Sequence, residues 1–415
     1  MKKVVKKIVL LLIVLGIGVG VTILYTNNKY KVYEEEEPKQ IKKHVDTISM
    51  MLETEAGSGN YEMTTRSEWP TDGYVFNATL SKCENGGELY WDDENKRVVM
   101  SGNVSDKCYV YFDKALTLAT YVKSLYTGTQ GDNNIYYHDS SLTNGAGDSS
   151  YRYSGANPNN YVCFGSNEST CPTDNLYRII GVFGNNVKLI KYDYATSALL
   201  GTDGNYQGTG TPNSSYYKGS LTTINTYYWN NSTKKNTWSE SLLNKTNLNT
   251  NFINNIGTEW ANKIATTTWK VGGNTYANIA SVVPSVAYQN EIVNPVTTNT
   301  TDNATEYSAK IGLMYVSDYG FGAGPSAWTT TLYNYDGGVN GSTIRSLNWM
   351  HMGYYDWTLS RLADNSDSAF RVYDDGHVSH NRVYLHDAVR PSFNLESSIT
   401  YVSGDGTQNS PIIIN

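Results

Sequence analysis

The spacing of apolar positions changes character several times along the chain. An uninterrupted apolar run, Ile8 to Tyr25, follows Lys2, Lys3, Lys6 and Lys7. A charge-free run of that length predicts a membrane-spanning helix, and the lysines would hold its start inside. A cleaved signal peptide is the competing reading, but no A-x-A-like site follows. From Thr26 to Gly57 the composition is polar, and the acid run Glu34 to Glu37 beside Pro38 predicts a solvated spacer. Within it Ile41, Val45, Ile48 and Leu52 recur at helical spacing, which predicts one amphipathic stalk helix.

Beyond Tyr61 the period shortens. Runs at Tyr74 to Ala78, Glu88 to Trp91, Arg97 to Met100 and Cys108 to Phe112 are punctuated by Asn85-Gly86-Gly87 and by Asp92 to Asn95. That pattern predicts a small antiparallel β module. Leu118, Val122 and Leu125 then share a helix face, and a Gly/Asn/Ser/Tyr tract from Thr127 to Tyr161 reads as a long loop. Tyr177 to Tyr192 predicts a hairpin turning at Gly184-Asn185-Asn186. After a second polar tract, Thr202 to Thr237, a helix is expected where Phe252, Ile256, Trp260 and Ile264 fall four apart. Ile311 to Val316 reads as a strand and Gly320 to Pro325 as a glycine-rich loop. Last, Phe370 and Val372, then Val378, then Val383 and Leu385 alternate around a turn at Asp374-Asp375-Gly376, which predicts a hairpin meander.

The 415 residues suffice for two or three domains. Charged residues make up only 17%, against 35 tyrosines and 36 glycines. A net charge of −7, with no basic patch outside the N-terminus, argues against a nucleic-acid partner. Four cysteines fall into two separated pairs without a C-x-x-C motif. In an exported chain this predicts two disulfides, Cys83 with Cys108 and Cys163 with Cys171.

Between the apolar positions of the last stretch stand Tyr354, Tyr355, Asp356, Asn365, Asp367, Tyr373, His377, His380, Asn381, Tyr384 and His386. Rigid aromatics mixed with short hydrogen-bonding groups are the composition of a recognition surface, so these residues are the candidate ligand contacts. Four of the six histidines, His351, His377, His380 and His386, crowd there. On a strand His377 and His380 fall out of phase, so they read as surface contacts rather than zinc ligands; no metal or cofactor is assigned. Asn157-Pro158-Asn159 and Trp229-Asn230-Asn231 lack the carboxylate that a calcium-dependent sugar site favours. With no G-x-S-x-G, H-E-x-x-H or Walker-type loop, no enzyme is expected.

Trp357-Thr358-Leu359-Ser360-Arg361, the hairpin ending in Asp374-Asp375-Gly376-His377-Val378, and Val389 to Leu395 resemble the C-terminal core of C-type-lectin-like domains of the formylglycine-generating-enzyme type. The pattern is also similar to surface proteins of gut Firmicutes that close with W-L-R, G-V and VRP-F-L. Some of that fold are variable proteins of diversity-generating retroelements. The resemblance covers Leu116 to Asn415 and implies core roles for Trp357, Leu359, Phe370, Val372, Val389, Pro391 and Phe393. It does not extend to formylglycine-generating activity, which depends on late cysteines, because none follows Cys171. From Thr358 to Leu395 there is no Trp, Met, Lys, Gln or Glu, the types that randomised adenines of Asn codons cannot yield. Ordinary surface composition and targeted diversification both fit that bias.

These readings combine into an α+β chain: cytoplasmic tip and transmembrane anchor over 1–25, spacer and stalk helix over 26–59, disulfide-bonded antiparallel β module over 60–113, and C-type-lectin-like domain over 114–415. The expected protein is a single-pass cell-membrane protein whose extracellular C-terminal face binds an unknown protein or glycan. A structural cell-envelope protein without a dedicated ligand is the alternative, and an extracellular enzyme ranks third.

Overall fold

The computed structural model describes residues 47–70, 73–101, 106–212, 215–295 and 305–415. They fall into two compact units that divide between Lys114 and Ala115. Among the described residues no helix is long and apolar enough to cross a membrane, which overturns the single-pass membrane placement. The apolar run over 8–25 and the acidic spacer lie outside the described residues. The α+β class is corrected as well. The described chain is mostly β-sheet with a few short helices, of which Leu118–Ser124 and Val316–Gly322 have seven residues each.

In the N-terminal unit, β1 (Thr47–Glu53) stands where the stalk helix was expected. It is followed by β2 (Tyr61–Thr64), β3 (Tyr74–Phe76), β4 (Lys82–Cys83), β5 (Glu88–Asp92), β6 (Arg97–Ser101) and β7 (Lys107–Lys114). One sheet runs β2-β1-β7-β3 with β4 also on β7, and β5 and β6 form a separate hairpin. β1 lies parallel to β7, which sets Met50 beside Val110 and Leu52 beside Phe112 in one apolar cluster. Alternate positions that a lone helix would leave half exposed gain a full partner strand, and this packing overrides the helical spacing. Cys83 and Cys108 face each other across β4 and β7 and are joined as a disulfide.

The C-terminal unit opens with α1 (Leu118–Ser124), capped by the Thr117 hydroxyl, which accepts from the Thr120 amide. The tract 127–161, read as a loop, holds β8 (Ile135–His138) and β9 (Ser150–Tyr153). Its tyrosines are good strand formers, and pairing Ile135 with Tyr153 buries both. β10 (Tyr161–Cys163) leads to the Cys163–Cys171 disulfide. β11 (Leu176–Phe183) and β12 (Asn186–Lys191) then form the hairpin at Gly184. The second polar tract likewise contains strands, β13 (Tyr206–Gly210) and β14 (Ile224–Tyr228).

The helix expected over Phe252 to Ile264 is broken. Leu243–Phe252 winds as a wide helix with i to i+5 bonds, continues to Asn255, and stops before Thr258–Asn262. β15 (Thr267–Lys270) pairs with β16 (Glu306–Ala309). The strand expected at Ile311 to Val316 is only β17 (Ile311–Gly312), because the chain turns into α2 (Val316–Gly322), which is buried on all sides. Gly320 to Pro325 is therefore partly helix rather than loop. After the short ladder of β18 (Gly338–Val339) and β19 (Ser342–Thr343) come β20 (Asp356–Arg361), β21 (Ser368–Val372), β22 (Val378–Arg382), β23 (His386–Asp387) and β24 (Ser392–Asn394).

The main sheet is antiparallel in the order β17-β24-β12-β11-β9-β8, with β10 on β11. Phe393 of β24, the strand beside the edge strand β17, is fully buried, its ring 4.8 Å from Phe164 and 5.4 Å from Tyr177. β20, β21 and β22 form a second, three-stranded sheet, and β23 pairs with β14. Two indoles tie these parts together. Trp357 donates from Nε1 to the Tyr227 carbonyl at 2.9 Å, and Trp229 donates to the Thr358 carbonyl at 3.0 Å. Loops are held by asparagine amides: Nδ2 of buried Asn236 donates to the carbonyls of Leu362, Asn365 and Ser368. Such bonds let polar sequence form an ordered interior.

Candidate functional site

The turn between β21 and β22 gathers the aromatic part of the predicted face. Gly376 there has φ 103°, a left-handed conformation that favours glycine. The turn closes with the Tyr373 amide donating to the His377 carbonyl at 2.9 Å. Tyr373 and His377 consequently stack, centroids 4.0 Å apart and planes inclined by 24°. Gly353, at φ 88°, brings the chain against Tyr216, where a Cβ would lie 2.0 Å from the Tyr216 carbonyl oxygen. Tyr354 and Tyr355 leave that kink just before β20.

The rings form a continuous row. Tyr333 lies 5.7 Å from His377, Tyr373 lies 5.4 Å from Tyr355, and Tyr355 lies 5.5 Å from Tyr354. Arg371, between the core residues Phe370 and Val372, sets its guanidinium 4.4 Å from the Tyr355 ring and 4.2 Å from the Tyr373 ring. Its Nη1 donates to buried Asp387 at 2.6 Å, so the cation is fixed from below by a carboxylate and from the sides by π faces. Tyr355 and Tyr373 pack against none of the apolar clusters, whereas Tyr354 leans on a cluster around Tyr194 and Met352. His377 also contacts Asp375, Nδ1 to Oδ1 2.6 Å.

The eleven candidate contacts do not share one face. Tyr354, Tyr355, Tyr373 and His377 cluster at the turn end of the hairpin. Asn365, Asp367 and Tyr384 sit at the opposite end of β21, five residues or roughly 16 Å away. There Arg382 pairs with Asp367, and Tyr384 packs on the main core. His380 lies opposite Phe370 in the register and turns to Tyr276, with ring centroids 4.6 Å apart. Asn381, opposite Ala369, is half-buried, and exposed His386 meets Tyr228 at 5.9 Å. Asp356 is the clear correction. It is 2% exposed and ion-paired to Arg390 at 2.6 Å, an interior group rather than a surface contact. Burial pushes its carboxyl up to about 6, against the pull of Arg390. Sequence reasoning missed Tyr333, which reaches the row from far upstream, and Arg371, which alternation between Phe370 and Val372 could have flagged.

A cavity of about 240 Å³ lies elsewhere in this unit, against Phe183, Trp269, Tyr288 and Tyr315. Lys188 bonds Asp318 at its edge at 2.5 Å, and Arg152 bonds Asp148 at 2.6 Å. Lys270, the third cation of the lining, pairs with Glu306, so three cations facing three carboxylates leave the cavity little net charge to offer a ligand. Glu291, beside this network, accepts from the Ser317 amide at 3.0 Å and from the Ser360 hydroxyl. Burial raises its carboxyl to about 7. Among the described residues, the grouping with metal-ligand spacing is Cys83, Asp106 and Cys108, and its sulfurs are consumed by the disulfide. No protein-family model, curated protein or solved structure matches the chain.

Proposed function

We propose that residues 115–415 form a recognition unit that binds a protein or glycan through the row Tyr333, His377, Tyr373, Tyr355 and Tyr354, without chemistry on what it binds. The observation that carries this reading is the clamping of Arg371 between Tyr355 and Tyr373, outside the apolar clusters. Side chains that add nothing to the core are nonetheless held rigid, and rigid aromatics supply contact area at low entropy cost. The resemblance of Val389 to Leu395 to C-type-lectin-like domains supports the same reading. Two disulfides suit an oxidising compartment, where such partners occur. The test is a glycan and protein array probed with the parent chain and with Tyr355→Ala and Tyr373→Ala. Specific binding lost in both variants is expected; binding unchanged in both would overturn the assignment.

A further inference from the structure

A second cavity of about 330 Å³ is lined by Asn157, Tyr161, Arg178, Lys218, Ser346 and Trp349, among others. Arg178 comes from β11 and is 5% exposed. Its guanidinium lies 4.2 Å from the Tyr161 ring and 4.6 Å from the Trp349 ring. Nε donates to Asn160 Oδ1 at 2.7 Å and Nη2 to the Pro158 carbonyl at 2.9 Å, both neutral acceptors. Nη1 has no protein partner among the described residues. Lys218 donates to the carbonyls of Arg345 and Asn348, at 3.0 and 3.3 Å, again without an acid. Lys218 is exposed along its side chain, but partial desolvation of its ammonium against the cavity wall lowers it to about 8, and Arg178, Arg390 and Arg345 push the same way. It remains mostly charged at neutral pH. By contrast Lys188, Arg152, Arg371 and Arg390 each face a carboxylate within this unit.

A buried cation held only by π faces and carbonyls keeps its field uncompensated, and the ammonium of the exposed Lys218 adds a second positive charge at the cavity's rim. Such a cavity is stabilised by an anion from outside. The rest of the lining narrows the class. Tyr192 and Trp349 offer apolar ring surface, Asn157 and Ser346 offer partners for hydroxyls, and the volume is at the small end for a ligand pocket. We propose that this cavity binds the carboxylate of an acidic sugar, a uronic acid, with Arg178 and Lys218 on the carboxylate and the pyranose ring against the aromatic wall. The site is separate from the aromatic row, since neither cation touches Tyr355 or Tyr373.

The test titrates the full chain calorimetrically with D-glucuronate, D-glucose and sodium sulfate. Glucuronate is expected to bind, glucose not to bind, and sulfate to bind more weakly than glucuronate. Lys218→Gln should weaken glucuronate binding roughly tenfold, the loss of one charge-assisted bond, while Lys218→Arg restores it. Arg178→Lys, which keeps the charge but loses the planar stack, should also weaken it. Tyr373→Ala should leave it unchanged. Equal binding of glucose and glucuronate, no glucuronate binding, or full affinity in Lys218→Gln would overturn the proposal. Sulfate binding as tight as glucuronate would leave a general anion site and overturn the sugar class. Loss in Tyr373→Ala instead of Lys218→Gln would move the ligand to the aromatic row, leaving recognition there intact and this cavity without its assignment.

Discussion

Asp356 and Arg390 meet at 2.6 Å inside the C-terminal unit, both almost wholly buried, one at the start of β20 and the other on the approach to β24. Arg390 also donates to the Met350 carbonyl at 2.6 Å, so the pair ties the β20 sheet to the main sheet and to the loop before the aromatic row. Replacing Asp356 by Ala strands the guanidinium in the interior. The expected cost is about 3–5 kcal/mol, read as a drop in thermal midpoint. A variant that melts with the parent would show that the pair adds nothing to the fold.

The tyrosines of the predicted face should separate by what they touch. Phe393→Ala removes a fully buried ring from the main apolar cluster and should cost about 3–5 kcal/mol. Tyr373→Ala removes a ring that packs only on its own row, at a cost of about 1 kcal/mol. Tyr384→Ala, with its ring on the main core, should fall between them. Paired denaturation curves check the order, and a Tyr373→Ala variant as unstable as Phe393→Ala would place that ring in the core.

Glu291 gives stability a pH dependence of predictable sign. Burial raises its carboxyl from 4.5 to about 7, so the folded chain holds a proton that the unfolded chain has released. Its contribution is favourable below about pH 5 and is lost as pH rises through about 7. The loss is on the order of 2–3 kcal/mol. Glu291→Gln should remove that slope. Urea midpoints of both proteins between pH 5 and pH 8 measure it, and parallel curves would contradict it.

The Cys83–Cys108 bridge closes a loop with a sequence separation of 25. In the chain-entropy account such a closure stabilises by about 3 kcal/mol. Replacing both cysteines by Ala should therefore speed amide exchange along β7 while β11 and β12 keep their protection. Unchanged exchange in β7 would show that the sheet holds without the bridge.

Legibility from sequence followed the physics of each segment. The hairpin at Gly184 and the C-terminal meander were readable because alternation and turn residues agreed, and the cysteine pairs because the two lie well apart along the chain. The strands at Ile135–His138 and Tyr206–Gly210 were hidden because Tyr, Gly and polar residues give them no apolar alternation, and their order depends on the partner strands they pair with. β1 was misread since Ile48 and Leu52 fit a helix until β7 is known to lie alongside. Within the site, alternation alone separated His377 from His380. The pairing of Asp356 with Arg390, and the distance between the two ends of β21, required the fold.

Arg371 stands between Phe370 and Val372, so one short strand carries core packing and the clamped cation of the aromatic row on adjacent residues that point opposite ways. Changes in the outward set couple mainly to one another, because Tyr355 and Tyr373 touch no apolar cluster. Variants of these rings draw only modestly on the stability margin that keeps the chain folded, whereas Arg371 is tied to that margin through buried Asp387. The hairpin is in that sense two-sided: the inward residues fix the backbone, and the rings of the proposed face ride on it as a layer that can change while the fold stays.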